Sequence, residues 1–175
     1  MGAGIGLYWL SQSTSRSPFA RPVKALRISS PFGRRVDPVT KEKGSYHTGV
    51  DFSAPVGVPV HAPEAGVVVR VDRDGIDKGK TNGNAVHVKA ASGRVWSMLH
   101  LSRVVVSQGQ QVRAGKLVGN VGNTGRSTGP HLHLSLYEGG KYVDPMRYLR
   151  GHYRIGGMEE LSPDFYAHAR EGAWS

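Results

Sequence analysis

The sequence predicts an all-β fold, a small antiparallel sheet tending towards a barrel, with a short helical addition on its C-terminal side. Three observations predict it. The 24 Gly and 10 Pro among 175 residues exceed average usage, which implies many tight turns and hence many short strands. Short β-branched or alternating runs recur between those turns, at 67–71, 85–89, 95–101, 104–107 and 117–121. Between residues 25 and 148 no run of the 10–12 residues expected of a buried helix repeats with a period of about 3.6.

The length fits one domain with decorated ends. Residues 1–24 read as an irregular basic lead-in, Ser-rich at 11–17 and interrupted by Pro18 and Pro22. Up to Val36 there are six basic residues (Arg16, Arg21, Lys24, Arg27, Arg34, Arg35) and no acid. Residues 25–149 carry the β pattern. Within them Asp144-Pro145 followed by Met146 to Leu149 reads as one capped helical turn, Asp at the cap and Pro at the first position. Residues 150–175 form a C-terminal extension, where Ser162-Pro163-Asp164 repeats the start signal for a short helix.

Composition also excludes. Without Cys there are no disulfides, no thiolate metal ligands and no thiol nucleophile. No apolar run reaches the ~18–20 residues of a transmembrane helix. The apolar stretch 2–10 is short, lacks a preceding basic residue and shows no clear cleavage site, so it does not read as an export signal. A net charge of +10 draws the chain to polyanions: nucleic acid, anionic lipid or an anionic wall polymer. Neither an aromatic–basic RNA motif nor a helix-turn-helix pattern is present, so nucleic acid is not the expected partner.

The histidines carry the chemistry. His131-Leu132-His133-Leu134-Ser135-Leu136 alternates without a break, placing His131, His133 and Ser135 on one strand face and the leucines on the other. Two such imidazoles can converge on one metal, or one can bind while its neighbour faces the bound water. His47-Thr48-Gly49-Val50-Asp51 spans ~13 Å in a straight strand, too far for His47 and Asp51 to share an ion. The pair can share one only if the backbone turns, and Gly49 is where it can bend. His100 lies in a strand where alternation puts it with Trp96 and Met98. The turns around Gly66 and 109–115 are similar to those of biotinyl and lipoyl carrier domains, but no Lys stands at a matching hairpin tip.

In order, Phe32-Gly33-Arg34-Arg35-Val36-Asp37-Pro38, His47 to Asp51, His100-Leu101-Ser102 and the run from Gly122 to His133 resemble the lysostaphin/LytM-type zinc endopeptidases. The likeness runs from about residue 28 to 149. It implies a lysostaphin-type catalytic domain of duplicated hybrid-motif type over 25–149. It further implies one Zn²⁺ per chain held by His47, Asp51 and His133, with His100 and His131 as catalytic groups beside its open position. The implied activity is hydrolysis of a peptidoglycan cross-link or stem peptide bond, next to D-alanine, by attack of zinc-bound water. Three N/O ligands and an open position are the pattern of a catalytic rather than a structural zinc site. Which of His100 and His131 is the general base stays open. Two positions depart from the family: Met98, often Tyr, and Ser135, often Glu.

The full ligand set speaks against the family's non-catalytic wall-binding and activator members. The implied setting is the cell wall, in the periplasm or outside the cell, for a bacterial or phage-encoded enzyme. The expected chain is a monomer whose basic lead-in holds anionic envelope polymers. His61, His87, His152 and His168 read as surface or packing residues. Asn123, Thr124, Ser127 and Thr128 read as loop-forming.

Overall fold

The computed structural model describes residues 17–25, 27–36, 40, 43–73 and 81–152. Among them the chain runs β1 (Arg27–Ser30), β2 (Gly33–Arg35), β3 (Ser45–His47), β4 (Gly49–Ser53), β5 (Pro59–His61), β6 (Gly66–Asp72) and β7 (Asn84–Ala90). It continues with β8 (Val95–Val104), β9 (Gln111–Val112), β10 (Leu117–Val121), β11 (His131–Glu138), β12 (Lys141–Val143), α1 (Met146–Leu149) and a 3-10 turn (Arg150–His152). The predicted all-β class and the short C-terminal helix are both present. Asp37, Pro38 and the second helix start at 162–164 lie outside the described residues.

Alternation builds the sheet. All pairings are antiparallel, in the order β1-β4-β11-β8-β7-β6-β9; β10 joins β5 to β8, and β12 extends β11. One face carries Phe52, Val86, Trp96, Met98 and the leucines 132, 134 and 136, all fully buried. The other carries His131, His133 and Ser135 of β11, Ser97 of β8 and His87 of β7. Strands β2 and β3 pair apart from this sheet. The expected runs 95–101 and 104–107 are not two strands: β8 continues to Val104, and the chain leaves the sheet after it.

The long strand β8 has two partners on one edge. Its first half pairs with β11, from Tyr137↔Val95 to His133↔Leu99; its second half pairs with β10, from Val121↔Leu101 to Gly119↔Val104. The exchange occurs at His100, whose φ of 63° is the one positive value on a non-glycine among the described residues. On the other edge, Asn84 faces Leu101 but Val86 faces Met98, so β8 carries one extra residue here. This is a β-bulge, which re-aims a side chain out of the alternating pattern. Leu101 therefore returns to the core, fully buried, while His100 leaves the core face on which alternation placed it.

Residues 17–24, read from the sequence as part of an irregular lead-in, sit on the core. Phe19 bridges Glu64 and Val23 bridges Val60, and Val23 is fully buried. The prolines break any longer strand, yet the apolar residues between them find the sheet edge. Helix α1 starts as its sequence implies, with the Met146 N–H donating to Asp144 Oδ1 at 2.9 Å.

Both ends of this region meet at one buried carboxylate. Glu64 accepts from Arg94 Nε (3.0 Å) and Nη2 (2.7 Å) and from Trp96 Nε1 (2.8 Å). The Arg94 guanidinium lies 4.7 Å over the Tyr148 ring and 5.4 Å from that of Phe19. Beside them Ser17 Oγ is 3.0 Å from His152 Nε2. Burial pushes the Glu64 carboxyl up, but Arg94 and Trp96 outweigh it and hold it below its ordinary 4.5.

The ionised carboxylate therefore contributes stability above pH 4.5 that is lost as pH falls through the lower folded-state value. Glu64→Gln is expected to unfold about 1–3 kcal/mol more easily in urea at neutral pH. The gap from wild type should close on acidification below 4.5.

Candidate metal centre

Strands β3, β4 and β11 bring three ligand atoms together. The direction change falls between β3 and β4, at Thr48–Gly49, so His47 and Asp51 meet although a straight strand would hold them apart. His47 Nε2 is 3.2 Å from Asp51 Oδ1 and 3.1 Å from His133 Nδ1, and His133 Nδ1 is 2.8 Å from Asp51 Oδ1. Gly49 serves here through space rather than an unusual φ. A Cβ at this position would lie 2.5 Å from the Leu134 carbonyl and 2.6 Å from His133 Nε2.

The tautomers follow from the partners. His47 Nδ1 donates to the Pro31 carbonyl at 2.7 Å, because a carbonyl can only accept. Its Nε2 therefore presents a lone pair to the Asp51 carboxylate at 3.2 Å. Two electron-rich atoms at that distance call for a shared cation. Burial pushes the Asp51 carboxyl up, but the His133 and His47 rings set against it hold it well below the usual carboxylate range. Burial likewise lowers His133, against the pull of Asp51, which favours the neutral, metal-binding form. A triangle with edges of 2.8–3.2 Å lies within reach of bonds of ~2.0–2.2 Å to one ion, so these residues fit a zinc-type cation.

Arg35 is the residue that sequence reasoning passed over. Its Nη1 donates to Asp51 Oδ2 at 3.0 Å and also to Ser30 Oγ, fixing the carboxylate from behind. Its signal was the Phe32-Gly33-Arg34-Arg35 run, quoted for the resemblance but given no role.

Two further imidazoles flank the triangle. His131 Nε2 is 3.7 Å from Asp51 Oδ1, and the His100 and His131 rings are 4.9 Å apart. The loop between β10 and β11 sets both. Thr124 O accepts from His100 Nδ1 at 2.9 Å, and Gly129 O accepts from His131 Nδ1 at 2.7 Å. Each ring thus keeps its Nε2 lone pair for the site. Burial, with the neighbouring His131 and His133, lowers His100 to about 4, so it is neutral at physiological pH. Close glycine contacts seat the loop: a Cβ on Gly122 would lie 2.2 Å from Ser102 N, and one on Gly125 2.3 Å from Gly83 N. A cleft of about 360 Å³ opens beside His131, lined by Ser30, Arg35, Asp51, Thr128 and Gly129 among others.

Residues 45–145 match the sequence profile of peptidase family M23. The chain belongs to that family. It is 43% identical over 125 residues to the DD-carboxypeptidase/endopeptidase Mpg of Neisseria meningitidis serogroup B, covering 71% of this chain and 27% of that protein. It is 42% identical over 122 residues to the peptidoglycan DD-endopeptidase ShyA of Vibrio cholerae, covering 69% and 27%. The chain thus spans about a quarter of the length of these curated relatives. In structure it is similar to a zinc-containing peptidase from Vibrio cholerae (TM-score 0.65, 32% identity, covering 79% of this chain and 41% of the other). It is also similar to the catalytic domain of the antimicrobial peptidase lysostaphin from Staphylococcus simulans (TM-score 0.62, 29% identity, 71% and 92%).

The close approach at Gly49 yields a test. Gly49→Ala is expected to cost at least about 1–3 kcal/mol of stability and to shift the His133 ring resonances in a long-range ¹H–¹⁵N spectrum, with those of His61 unmoved.

Proposed function

We propose that this chain is a zinc-dependent peptidoglycan endopeptidase that hydrolyses a peptide bond next to D-alanine in cross-links or stem peptides. The observation that carries the reading is the meeting of His47 Nε2, Asp51 Oδ1 and His133 Nδ1 within 3.2 Å, beside two imidazoles whose free nitrogens are set by loop carbonyls. The relatives named as DD-endopeptidases support the substrate class, and the zinc-containing structural relative supports the metal. It acts in the cell wall, periplasmic or extracellular. Among the described residues no helix is long and apolar enough to cross a membrane.

His47, Asp51 and His133 would hold the ion, the carboxylate leaving part of its charge uncompensated. When bound, Zn²⁺ supplies Lewis-acid polarisation of a carbonyl and acidifies water. His131 and His100 supply proton transfer. A neutral Nε2 accepts a proton from the attacking water, and the resulting imidazolium returns it to the leaving amine. The second ring, 4.9 Å away, can receive or share that proton and donate to the developing oxyanion. Because Thr124 and Gly129 hold the Nδ1 protons, neither ring has to flip during turnover. Arg35 acts through Asp51, engaging its second oxygen and keeping its charge intact.

His47→Ala and His133→Ala are expected to abolish stoichiometric zinc and hydrolysis together. His131→Ala and His100→Ala should retain one zinc per chain and lose ~10²–10⁴-fold in rate. Metal analysis and turbidity loss of purified murein, with mass spectrometry of the released fragments, measure both. Full hydrolysis by metal-free protein refutes the reading. Arg35→Ala should weaken zinc ~10–100-fold in competition with a chromophoric chelator.

A further inference from the structure

A second polar cluster lies on the same sheet face, three strands from β11. Asp72 is 1% exposed, and its Oδ1 accepts from Arg70 Nε at 2.6 Å. Its Oδ2 accepts from Asn82 Nδ2 and meets His87 Nε2, both at 3.2 Å. His87 Nδ1 in turn is 2.8 Å from Ser97 Oγ. His87, read from the sequence as a packing residue, is thus the middle of a network. The register explains the alignment: Ser135 faces Ser97 on β8, Ser97 faces His87 on β7, and His87 faces Arg70 on β6. One transverse row therefore starts beside His133 and ends at Arg70, whose side chain is 48% exposed.

A buried carboxylate paired with an arginine contributes little net stability over an apolar replacement. It does fix the direction of a guanidinium. With Nε committed to Asp72, the guanidinium plane is tied to that carboxylate while the side chain stays 48% exposed, and a planar fork held this way suits bidentate recognition of a carboxylate. Lys89, two residues beyond His87 on β7, adds an exposed positive charge on this face.

We propose that Arg70, held by Asp72, which Asn82 and His87 fix in turn, is a subsite for a carboxylate of the substrate peptide. This rests on the endopeptidase reading and makes it more specific. Three strand spacings of about 4.8 Å put Arg70 roughly 14 Å from Ser135, and His133 lies two residues, about 7 Å, further along β11, so Arg70 is roughly 16 Å from His133. An extended peptide covers that distance in about five residues. The group bound is thus a free carboxylate about five residues from the bond cut, on a peptide lying across the strands. Arg70 binds it, and Asp72 is a positioning residue.

The test uses the zinc-loaded chain and synthetic cross-linked stem peptides, in matched forms with each carboxylate free or amidated. Arg70→Ala should raise KM for the acid peptide about tenfold with kcat unchanged, the loss expected of one charge-assisted contact. For the peptide amidated at the recognised position, wild type should show that same raised KM, and Arg70→Ala should add nothing. Arg70→Lys should restore part of the loss, and Asp72→Asn should reproduce it with kcat intact. An acid-to-amide ratio identical in wild type and Arg70→Ala overturns the subsite while leaving the endopeptidase reading standing. If wild type cleaves no form, that reading falls, and peptide binding by calorimetry decides the subsite. Tighter binding of the acid, lost in Arg70→Ala, upholds it; equal affinities overturn it.

Discussion

The arrangement depends on β8 changing partner at His100. A strand that kept β11 as its neighbour throughout would put His100 with Trp96 and Met98, away from the ligand triangle. The extra residue and the 63° φ instead turn His100 off the core face where β11 gives way to β10. The 122–129 loop, closed by the bridge between Gly122 and His131, lies beside that point, and its carbonyls orient His100 and His131. A residue held in the left-handed region costs about 1–3 kcal/mol and persists only where its surroundings enforce it. Here they do so from both sides: the His100 N–H donates to Asn82 O at 3.0 Å, and Gly122 packs against its carbonyl.

The core face and the His-bearing face of β11 were legible in the sequence because strict alternation has one structural meaning. So was the capped turn at Asp144-Pro145. His47 and Asp51 could be paired only conditionally, since spacing alone does not reveal that β3 and β4 belong to different sheets. His100 was placed on the wrong face because a bulge leaves no mark in a pattern of apolar residues. Arg35, Arg70 and Asp72 were invisible as site residues for another reason. Charged residues alternating on a strand look like a solvated edge until register shows what stands opposite. The packing of Phe19 and Val23 was hidden by the prolines beside them.

Three buried carboxylates share one design. Asp51, Glu64 and Asp72 are each 8% exposed or less, and each is met by an arginine, Arg35, Arg94 or Arg70 respectively. A buried charge without such a partner would be neutralised or expelled. A pair of this kind contributes little net stability over an apolar replacement, so its value lies in fixing direction. At Asp51 the direction fixed is that of a ligand oxygen, and at Glu64 it is the docking of distant segments. Of the three, histidine takes part only at Asp51 and Asp72, the two on the His-bearing face of the sheet.

The contact between Ser17 and His152, with Phe19 against Tyr148, brings the two ends of the described region side by side. A domain whose ends adjoin can be spliced into a host polypeptide at a single surface point, as a loop is, without stretching either partner. The same adjacency makes the domain a candidate for circular permutation: joining 17 to 152 through a short linker and opening the chain at an exposed turn such as Gly139-Gly140 leaves every strand pairing in place.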